Sequence, residues 1–128
     1  MIYIDTSVAL AHLLAKDISP PDSLWEESLI SSRLLEYEVW VRVNAQSLGR
    51  SHSDAVRQLL ARIALIELAP PVLARALEPF PVAVRTLDAL HLASLTFIQA
   101  QGQPLSLASY DERMLTAARR IRIPIARI

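Results

Sequence analysis

The N-terminal segment MIYIDTSVAL, residues 1–10, places a carboxylate immediately after an apolar run. The pattern predicts a buried strand over residues 2–5 and a helix over residues 7–15, with Thr6 as the helix cap. An unpaired buried charge costs several kcal/mol. Asp5 is therefore either part of the turn that follows the strand or one of several acids that meet at the strand's end.

Short apolar segments alternate with helical segments along the rest of the chain. Gly49 is expected to close one helix, and Ser51 or Ser53 to cap the next. The alternation predicts an α/β fold, a parallel sheet covered by helices on both faces, in a single domain over residues 1–128. Further strands are predicted at 28–31, 65–68, 104–109 and 123–128, and further helices at 32–48, 51–64, 69–80, 84–102 and 110–122, with a short helix ending near Glu27.

The composition narrows the class of protein. Hydrophobic residues make up 52% of the 128-residue chain, which argues against disorder and indicates apolar surface kept for a partner or a second copy. No run approaches the roughly 20 apolar residues of a membrane span, and no signal-peptide pattern is recognised. The absence of cysteine excludes disulfides and thiolate metal sites. These features predict a cytoplasmic protein with no membrane association.

The charges are unevenly distributed although the formal net charge is zero. Residues 1–40 hold two basic and seven acidic side chains, whereas residues 41–128 hold 11 arginines and six acids. Arginine presents a rigid fork that matches phosphate. A general bias toward arginine in the source proteome explains the same count, so the charge alone does not establish a nucleic-acid partner.

Four acids lie beside strongly apolar sequence. Ligands of parallel α/β sheets bind outside the carboxyl ends of the strands, which is where Asp5 and Asp111 fall. Asp88 opens a long helix, and Glu38 lies inside an apolar helix. Ordinary structural roles stay open for each acid: complementing a helix dipole for Asp88, capping a helix for Asp111, and pairing with Arg42 for Glu38.

Glu36 and Glu38 compete for the same role. Two positions along a helix differ by about 200°, so both side chains cannot point into one cluster. Each glutamate shares a side of the helix with apolar residues, and periodicity alone does not choose between them.

Four converging carboxylates need a counter-charge, because mutual repulsion raises some of their pKa values. A bound divalent cation would offset the repulsion between the carboxylates. Zinc is disfavoured, because the chain has no cysteine and His12, His52 and His91 are widely separated. All-oxygen ligands suit Mg²⁺ or Mn²⁺, ions that activate a water and stabilise the departing oxygen of a phosphodiester.

Four segments, taken together, resemble the PIN-domain ribonucleases, and most of all the VapC toxins of bacterial toxin–antitoxin pairs. The resemblance runs from residue 1 to about residue 120, with the elements in the expected order. The segments are YIDTSVAL (3–10), SRLLEYEVWV (32–41), RTLDALHLAS (85–94) and SYDERMLTAA (109–118).

The resemblance transfers four family acids onto this chain, as metal ligands and catalytic residues: Asp5, Glu38, Asp88 and Asp111. In the family's second motif a Ser, a Leu two residues on and a Glu six residues on recur, and Ser32, Leu34 and Glu38 match them. That match favours Glu38 over Glu36 as the family acid, although a shift in the alignment of the motif would exchange the two glutamates. Asp111 matches the last family acid in preference to Glu112.

Hydroxyl groups support the metal shell in the family, and Thr6, Ser7 and Ser109 fall at those positions. Helix capping is an equally open role for these three residues. We also predict that some of the arginines following Asp111 guide the RNA backbone, with a solvated helix face as the alternative. These arginines are Arg113, Arg119, Arg120 and Arg122.

The resemblance implies a three-layer α/β/α fold with a central parallel sheet. It implies a Mg²⁺- or Mn²⁺-dependent endoribonuclease that cleaves single-stranded or structured RNA, of the tRNA or ribosomal RNA class, by metal-activated water. It also implies a homodimer inhibited by a VapB-type antitoxin. The lack of overall positive charge is a departure that bears on the strength of RNA binding.

Two other classes compete with this interpretation. A phosphoaspartate protein also gathers acids around Mg²⁺, but it needs a lysine late in the chain, and the only lysine here is Lys16. A catalytically silent PIN-type module that binds RNA or protein without cutting is the main alternative. The presence of all four acids argues against it.

Overall fold

The computed structural model describes residues 1–14 and 17–128. Strands and helices alternate along these residues, which follows the apolar periodicity of the sequence. The elements are β1 (Ile2–Ile4), α1 (Thr6–Leu14), a short 3₁₀ helix (Asp22–Glu26), β2 (Leu29–Ser32), α2 (Arg33–Ala45), α3 (Gly49–Ala61), β3 (Ile63–Ile66), α4 (Pro70–Ala76), α5 (Thr86–Ala100), β4 (Ser106–Ala108) and α6 (Glu112–Arg120).

The strands form a parallel sheet in the order β3-β2-β1-β4. Ile4 at the end of β1 pairs with Ala108 at the end of β4, and Ile2 pairs with Leu29 at the start of β2. All strands therefore end at the same edge of the sheet. Because β1 has β2 on one side and β4 on the other, the chain order switches beside β1, and such a switch point is where parallel sheets bind ligands.

Helices cover both faces of the sheet, so the expected three-layer α/β/α fold is confirmed. Side chains of β1 alternate between the faces, as the pleat requires. Tyr3 points toward the layer that contains α5 and α6, and Ile4 toward the layer that contains α1, α2 and α3. The first layer includes Leu92, Leu95, Leu107 and Met114, and the second includes Val8, Leu35, Val39, Val43 and Val56. None of the helices in the described parts of the chain has the length and apolar character needed to span a bilayer.

The strand predicted at residues 123–128 is wrong. Within the described residues this segment makes only a single parallel bridge to the sheet, between Ile125 and Leu107. The Leu107 N–H donates to the Pro124 carbonyl, and the Ala126 N–H donates to the Leu107 carbonyl, each over 2.8 Å. Proline has no N–H to donate, which limits the ladder at this point.

Three predicted helix boundaries are also wrong, namely the cap of α1, the end of α2 and the cap of α3. Thr6 is the first residue of α1, and the Asp5 carboxylate accepts a hydrogen bond from the Val8 N–H in its place. Gly49 does not close α2 but begins α3, where Leu48 and neither Ser51 nor Ser53 is the cap residue. The predicted end of the first helix at residue 15 lies outside the described residues.

A serine accounts for the error at Gly49. Ser47 adopts φ of 58°, the left-handed conformation expected of a glycine at the end of a helix. A β-carbon at Gly49 would lie 2.7 Å from the Oδ1 atom at the end of the exposed Asn44 side chain, which would have to move aside.

The boundaries of other elements differ from the predicted ones as well. The strand predicted at 65–68 begins two residues earlier, because α3 ends at Ala61, and the helix predicted at 69–80 ends at Ala76. Pro79 and Pro81 follow that end, and proline disfavours a helical conformation of the residue before it.

Candidate active site

The carboxyl edge of the sheet brings together polar side chains from distant parts of the sequence. Asp5 follows β1, and Ser109 and Asp111 follow β4, the neighbouring strand. Glu38 lies on α2, which continues directly from β2 on the other side of β1. Asp88 lies in the first turn of α5, as predicted.

Asp5 is almost fully buried, with 3% of its surface exposed, and both carboxylate oxygens are hydrogen-bonded. The Ser7 hydroxyl donates to Oδ1 and the Ser109 hydroxyl donates to Oδ2, each over 2.5 Å. Burial raises the pKa of Asp5, whereas the hydrogen bonds from Ser109 and Ser7 oppose the rise. Oδ1 also accepts from the Val8 N–H, so of the about four lone-pair positions of the carboxylate one, on Oδ2, is left for a further partner.

The same two hydroxyls fix the loop between β4 and α6. The Ser109 Oγ atom accepts a hydrogen bond from the Asp111 N–H, and the Ser7 Oγ atom accepts one from the Tyr110 N–H, each over 2.9 Å. Asp5 and Asp111 are thereby linked through one serine. Asp111 is also the cap of α6, because its Oδ1 atom accepts from the Arg113 N–H over 2.9 Å. Capping and membership of the site are therefore compatible roles for this acid.

Glu38 points toward α1 and α5, and Glu36 points away from them. The Glu38 Oε1 atom accepts a hydrogen bond from the Thr6 hydroxyl over 2.7 Å and lies 2.6 Å from the His91 Nε2 atom. Glu36 instead pairs with Arg33 over 3.2 Å. At the start of α2, the Ser32 hydroxyl oxygen accepts a hydrogen bond from the Leu34 N–H. Thr6 thus contacts a glutamate of the site and does not cap a helix.

Asp88 lies close enough to Asp111 for their charges to interact. Burial and the charge of Asp111 both raise the pKa of Asp88, with burial the larger cause. His91 lies one turn along α5 from Asp88. Of the four acids, His91 contacts Glu38, over 2.6 Å between Nε2 and Oε1.

The role of Tyr3 and His91 was not predicted from the sequence. The Tyr3 hydroxyl lies 2.7 Å from the His91 Nδ1 atom, and both side chains are buried. The available signal was the position of His91 three residues after Asp88, which places both on one side of α5. A buried polar ring needs hydrogen-bond partners, and only the fold shows which residues supply them.

The arginines predicted to bind RNA lie at different distances from the acids. Arg113 lines a cavity of about 240 Å³ together with Arg85 and Asp88. Arg119 and Arg120 lie in the last turn of α6. That end lies about 13 Å from the Asp111 end, at 1.5 Å per residue over the helix. Arg85 was not among the predicted residues.

The residues present fit a hydrated divalent cation. Among the residues described, no three acidic or histidine side chains are placed so that they enclose an ion by themselves. Mg²⁺ keeps several waters and takes one or two carboxylates, so it does not need such an enclosure. The donors are carboxylate and hydroxyl oxygens, and a cation would offset the burial of Asp5 and the repulsion between Asp88 and Asp111.

Apolar surface, expected from the composition, lines a second cavity, and Val84 and Arg85 border both this cavity and the one that contains Asp88. This second cavity, of about 670 Å³, lies between α4 and the first half of α5 and includes Leu73, Leu77, Phe80 and Val84. The Leu77 side chain is 89% exposed.

Three comparisons with known proteins each find proteins similar to this chain. The family profile described as PIN domain matches residues 2–120. A curated relative, "Ribonuclease VapC47" of Mycobacterium tuberculosis (strain CDC 1551 / Oshkosh), is 28% identical over an alignment that covers 94% of this chain and 92% of the relative. A solved structure described as "Toxin-antitoxin complex from Klebsiella pneumoniae" shares the fold, with a TM-score of 0.61, 14% identity and 94% coverage of both chains.

Proposed function

The chain belongs to the PIN domain family, and from that membership we propose that it is a Mg²⁺- or Mn²⁺-dependent endoribonuclease, the toxin of a VapBC-type toxin–antitoxin pair. The observation that carries the proposal is the meeting of Asp5, Glu38, Asp88 and Asp111 at one edge of the sheet, linked through Ser109, Thr6 and His91. Two comparisons support it, because the curated relative is named a ribonuclease and the similar solved structure is a toxin–antitoxin complex.

The four acids have distinct roles in this proposal. Asp5 and Asp88 hold the cation directly, because both lie at rigid ends of elements around the switch point of the sheet. Glu38 and Asp111 complete the shell or hold its waters. When bound, Mg²⁺ or Mn²⁺ supplies an activated water and stabilises the departing oxygen of the phosphodiester.

The protein's own groups supply orientation. Ser7 and Ser109 hold both oxygens of Asp5, so the carboxylate cannot rotate without breaking two hydrogen bonds. Thr6 holds Glu38 in the same way from the first turn of α1. Fixed ligands reduce the reorganisation needed at the moment of reaction, which is the main contribution that an enzyme makes around a metal.

RNA binding is assigned first to Arg113. Its guanidinium shares a cavity with Asp88, and Arg85 lines the same cavity, so a phosphate adjacent to the scissile one would meet both. Arg119 and Arg120 contact RNA farther from the acids. Replacing Arg113 with Gln should raise KM and reduce the salt dependence of binding by about 0.7 in the log–log slope. Arg119→Gln serves as the matched control and should change KM less.

The partners follow from the proposed class. A VapB-type antitoxin and a second copy of the chain would cover apolar surface such as that around Leu73 and Leu77, which are 42% and 89% exposed. We propose a cytoplasmic location, where such an antitoxin and the RNA substrates of the tRNA or ribosomal RNA class are both present.

Cleavage of RNA tests the proposed function. Single-stranded and structured RNAs are incubated with the protein in Mn²⁺ or Mg²⁺, and separately in EDTA. We expect cleavage only with the cation, loss of detectable cleavage in Asp5→Asn, and unchanged cleavage in Asp54→Asn, whose side chain is 94% exposed on α3. RNA that is bound but left intact would favour the catalytically silent binding module instead.

A further inference from the structure

A buried line of hydrogen bonds leads from the core of the protein to the acids. The Tyr3 hydroxyl lies 2.7 Å from His91 Nδ1, and His91 Nε2 lies 2.6 Å from Glu38 Oε1. Tyr3 has no exposed surface and His91 has 2%. Nothing in the proposed reaction uses these two residues directly, yet they occupy the space behind the glutamate.

The direction of these hydrogen bonds follows from the groups at each end. Glu38 Oε1 is a carboxylate oxygen, which only accepts, so the contact requires a proton on His91 Nε2. A neutral imidazole then has a bare Nδ1 atom, which only accepts, and the Tyr3 hydroxyl must donate to it. Burial raises the pKa of Tyr3, so the hydroxyl keeps its proton at neutral pH. One arrangement of protons therefore gives every donor and acceptor in these two contacts a partner.

The line of hydrogen bonds makes Glu38 asymmetric. Both Thr6 and His91 contact Oε1, and among the described residues nothing donates to Oε2. Two contacts on one oxygen fix the plane of the carboxylate and leave the other oxygen free for an outside partner. The Thr6 Oγ1 atom also lies 3.4 Å from His91 Nε2, so the three side chains pack as one unit.

We propose that His91 is a positioning residue of the site, which donates from Nε2 to hold Glu38, and that Tyr3 donates to Nδ1 and so holds the imidazole ring in place. This inference rests on the proposed nuclease function and adds two residues to its machinery. His91 contacts neither the cation nor the RNA, so it acts only through Glu38.

The tautomer can be measured in the metal-free protein by ¹⁵N–¹H correlation spectroscopy of the histidine ring nitrogens. We expect His91 to carry its proton on Nε2 in the unmodified protein and also in Tyr3→Phe, where the Glu38 carboxylate still accepts from Nε2. A proton found on Nδ1 alone would contradict the inference. Protons on both nitrogens would overturn the role assigned to Tyr3.

Two substitutions of similar polarity separate positioning from packing. The amide of His91→Gln extends to about the place of Nε2 and keeps a donor for Glu38, whereas the shorter amide of His91→Asn reaches only the place of Nδ1 and Tyr3. We expect His91→Asn to lower kcat and Mn²⁺ affinity about tenfold, the lower end of the range for residues that orient metal ligands. His91→Gln should recover most of both losses, and His52→Asn, a histidine on α3, should change neither.

The double variant His91→Asn/Glu38→Gln completes the test. If His91 acts only through Glu38, kcat and Mn²⁺ affinity should be no lower in the double variant than in Glu38→Gln alone. Additive losses, or equal losses in His91→Gln and His91→Asn, would overturn the inference and indicate general packing. If the unmodified protein cleaves no RNA, the proposed function fails, while the tautomer and the order of Mn²⁺ affinities still decide the inference.

Discussion

Asp5 and Glu38 are held in place by different parts of the molecule. Asp5 has a hydroxyl on each oxygen, from Ser7 two residues later and from Ser109 at the end of the neighbouring strand. Glu38 has both contacts on one oxygen, and one of them comes from His91, which Tyr3 supports from the core. One acid is fixed by loops at the edge of the sheet, and the other by residues buried within the fold.

This difference affects what each side of the site tolerates. The serines around Asp5 also bind the N–H groups of Tyr110 and Asp111, so a change there affects the loop that carries another acid. A change behind Glu38 affects mainly the direction of one carboxylate. We therefore expect substitutions on the Asp5 side to alter stability and those on the Glu38 side to alter catalysis more selectively.

After the loss of cleavage expected of Asp5→Asn, the largest effect is expected at Glu38. Glu38→Gln keeps the size of the side chain but removes the charge, and we expect kcat to fall about 10- to 100-fold, as for other residues that complete a metal shell. Glu36→Gln is the matched control on the same helix, because Glu36 pairs with Arg33 away from the site. RNA cleavage rates measure both variants. Equal losses of rate would contradict the assignment of Glu38, and not Glu36, to the site.

An intermediate effect on stability is expected at Ser109. Ser109→Ala leaves the Asp111 N–H and the Asp5 Oδ2 atom without a partner at a buried position, which costs roughly 1–3 kcal/mol of unfolding free energy. Ser7→Ala removes hydrogen bonds of the same kind at a half-buried position and should cost less, about 1 kcal/mol. Urea denaturation of the metal-free proteins measures both. The reverse order would show that Ser7, not Ser109, is the main support of Asp5.

The smallest effect is a gain in stability at Asp88. Burial and the charge of Asp111 raise the pKa of Asp88 above its usual 3.8, so the ionised carboxylate destabilises the folded protein at neutral pH. In EDTA at pH 7, Asp88→Asn should unfold at a slightly higher temperature, with a gain below about 1 kcal/mol because the group is partly exposed. The gain should shrink as the pH falls toward 3.8, where both folded and unfolded wild-type protein bind the proton. A variant less stable than wild type at pH 7 would contradict the repulsion.

Much of this site could be predicted from the order of the elements. Parallel strands end at one edge, so acids that follow β1 and β4 had to approach each other, and Asp5 and Asp111 do. The choice of Glu38 over Glu36 was different. Two apolar stripes flank these residues, and the choice depended on the family resemblance before the contacts of Thr6 and His91 were known.

The features that were missed depend on contacts between residues far apart in the sequence. Tyr3 and His91 are separated by 88 positions, and each alone reads as an ordinary core residue. The strand predicted at 123–128 failed because only the fold shows which N–H groups around Pro124 reach the sheet. Local signals thus located the elements and the acids, whereas the groups that orient the acids required the tertiary structure.

The central claim is that these acids hold one divalent cation at the carboxyl edge of the sheet. Crystals soaked in Mn²⁺ and measured by anomalous diffraction at the manganese edge test it most directly. The account predicts one strong peak bounded by Asp5 and Asp88, with Glu38 and Asp111 around it, and no peak in crystals of Asp5→Asn. A peak on another surface, or none beside Asp5 in well-soaked crystals, would contradict it.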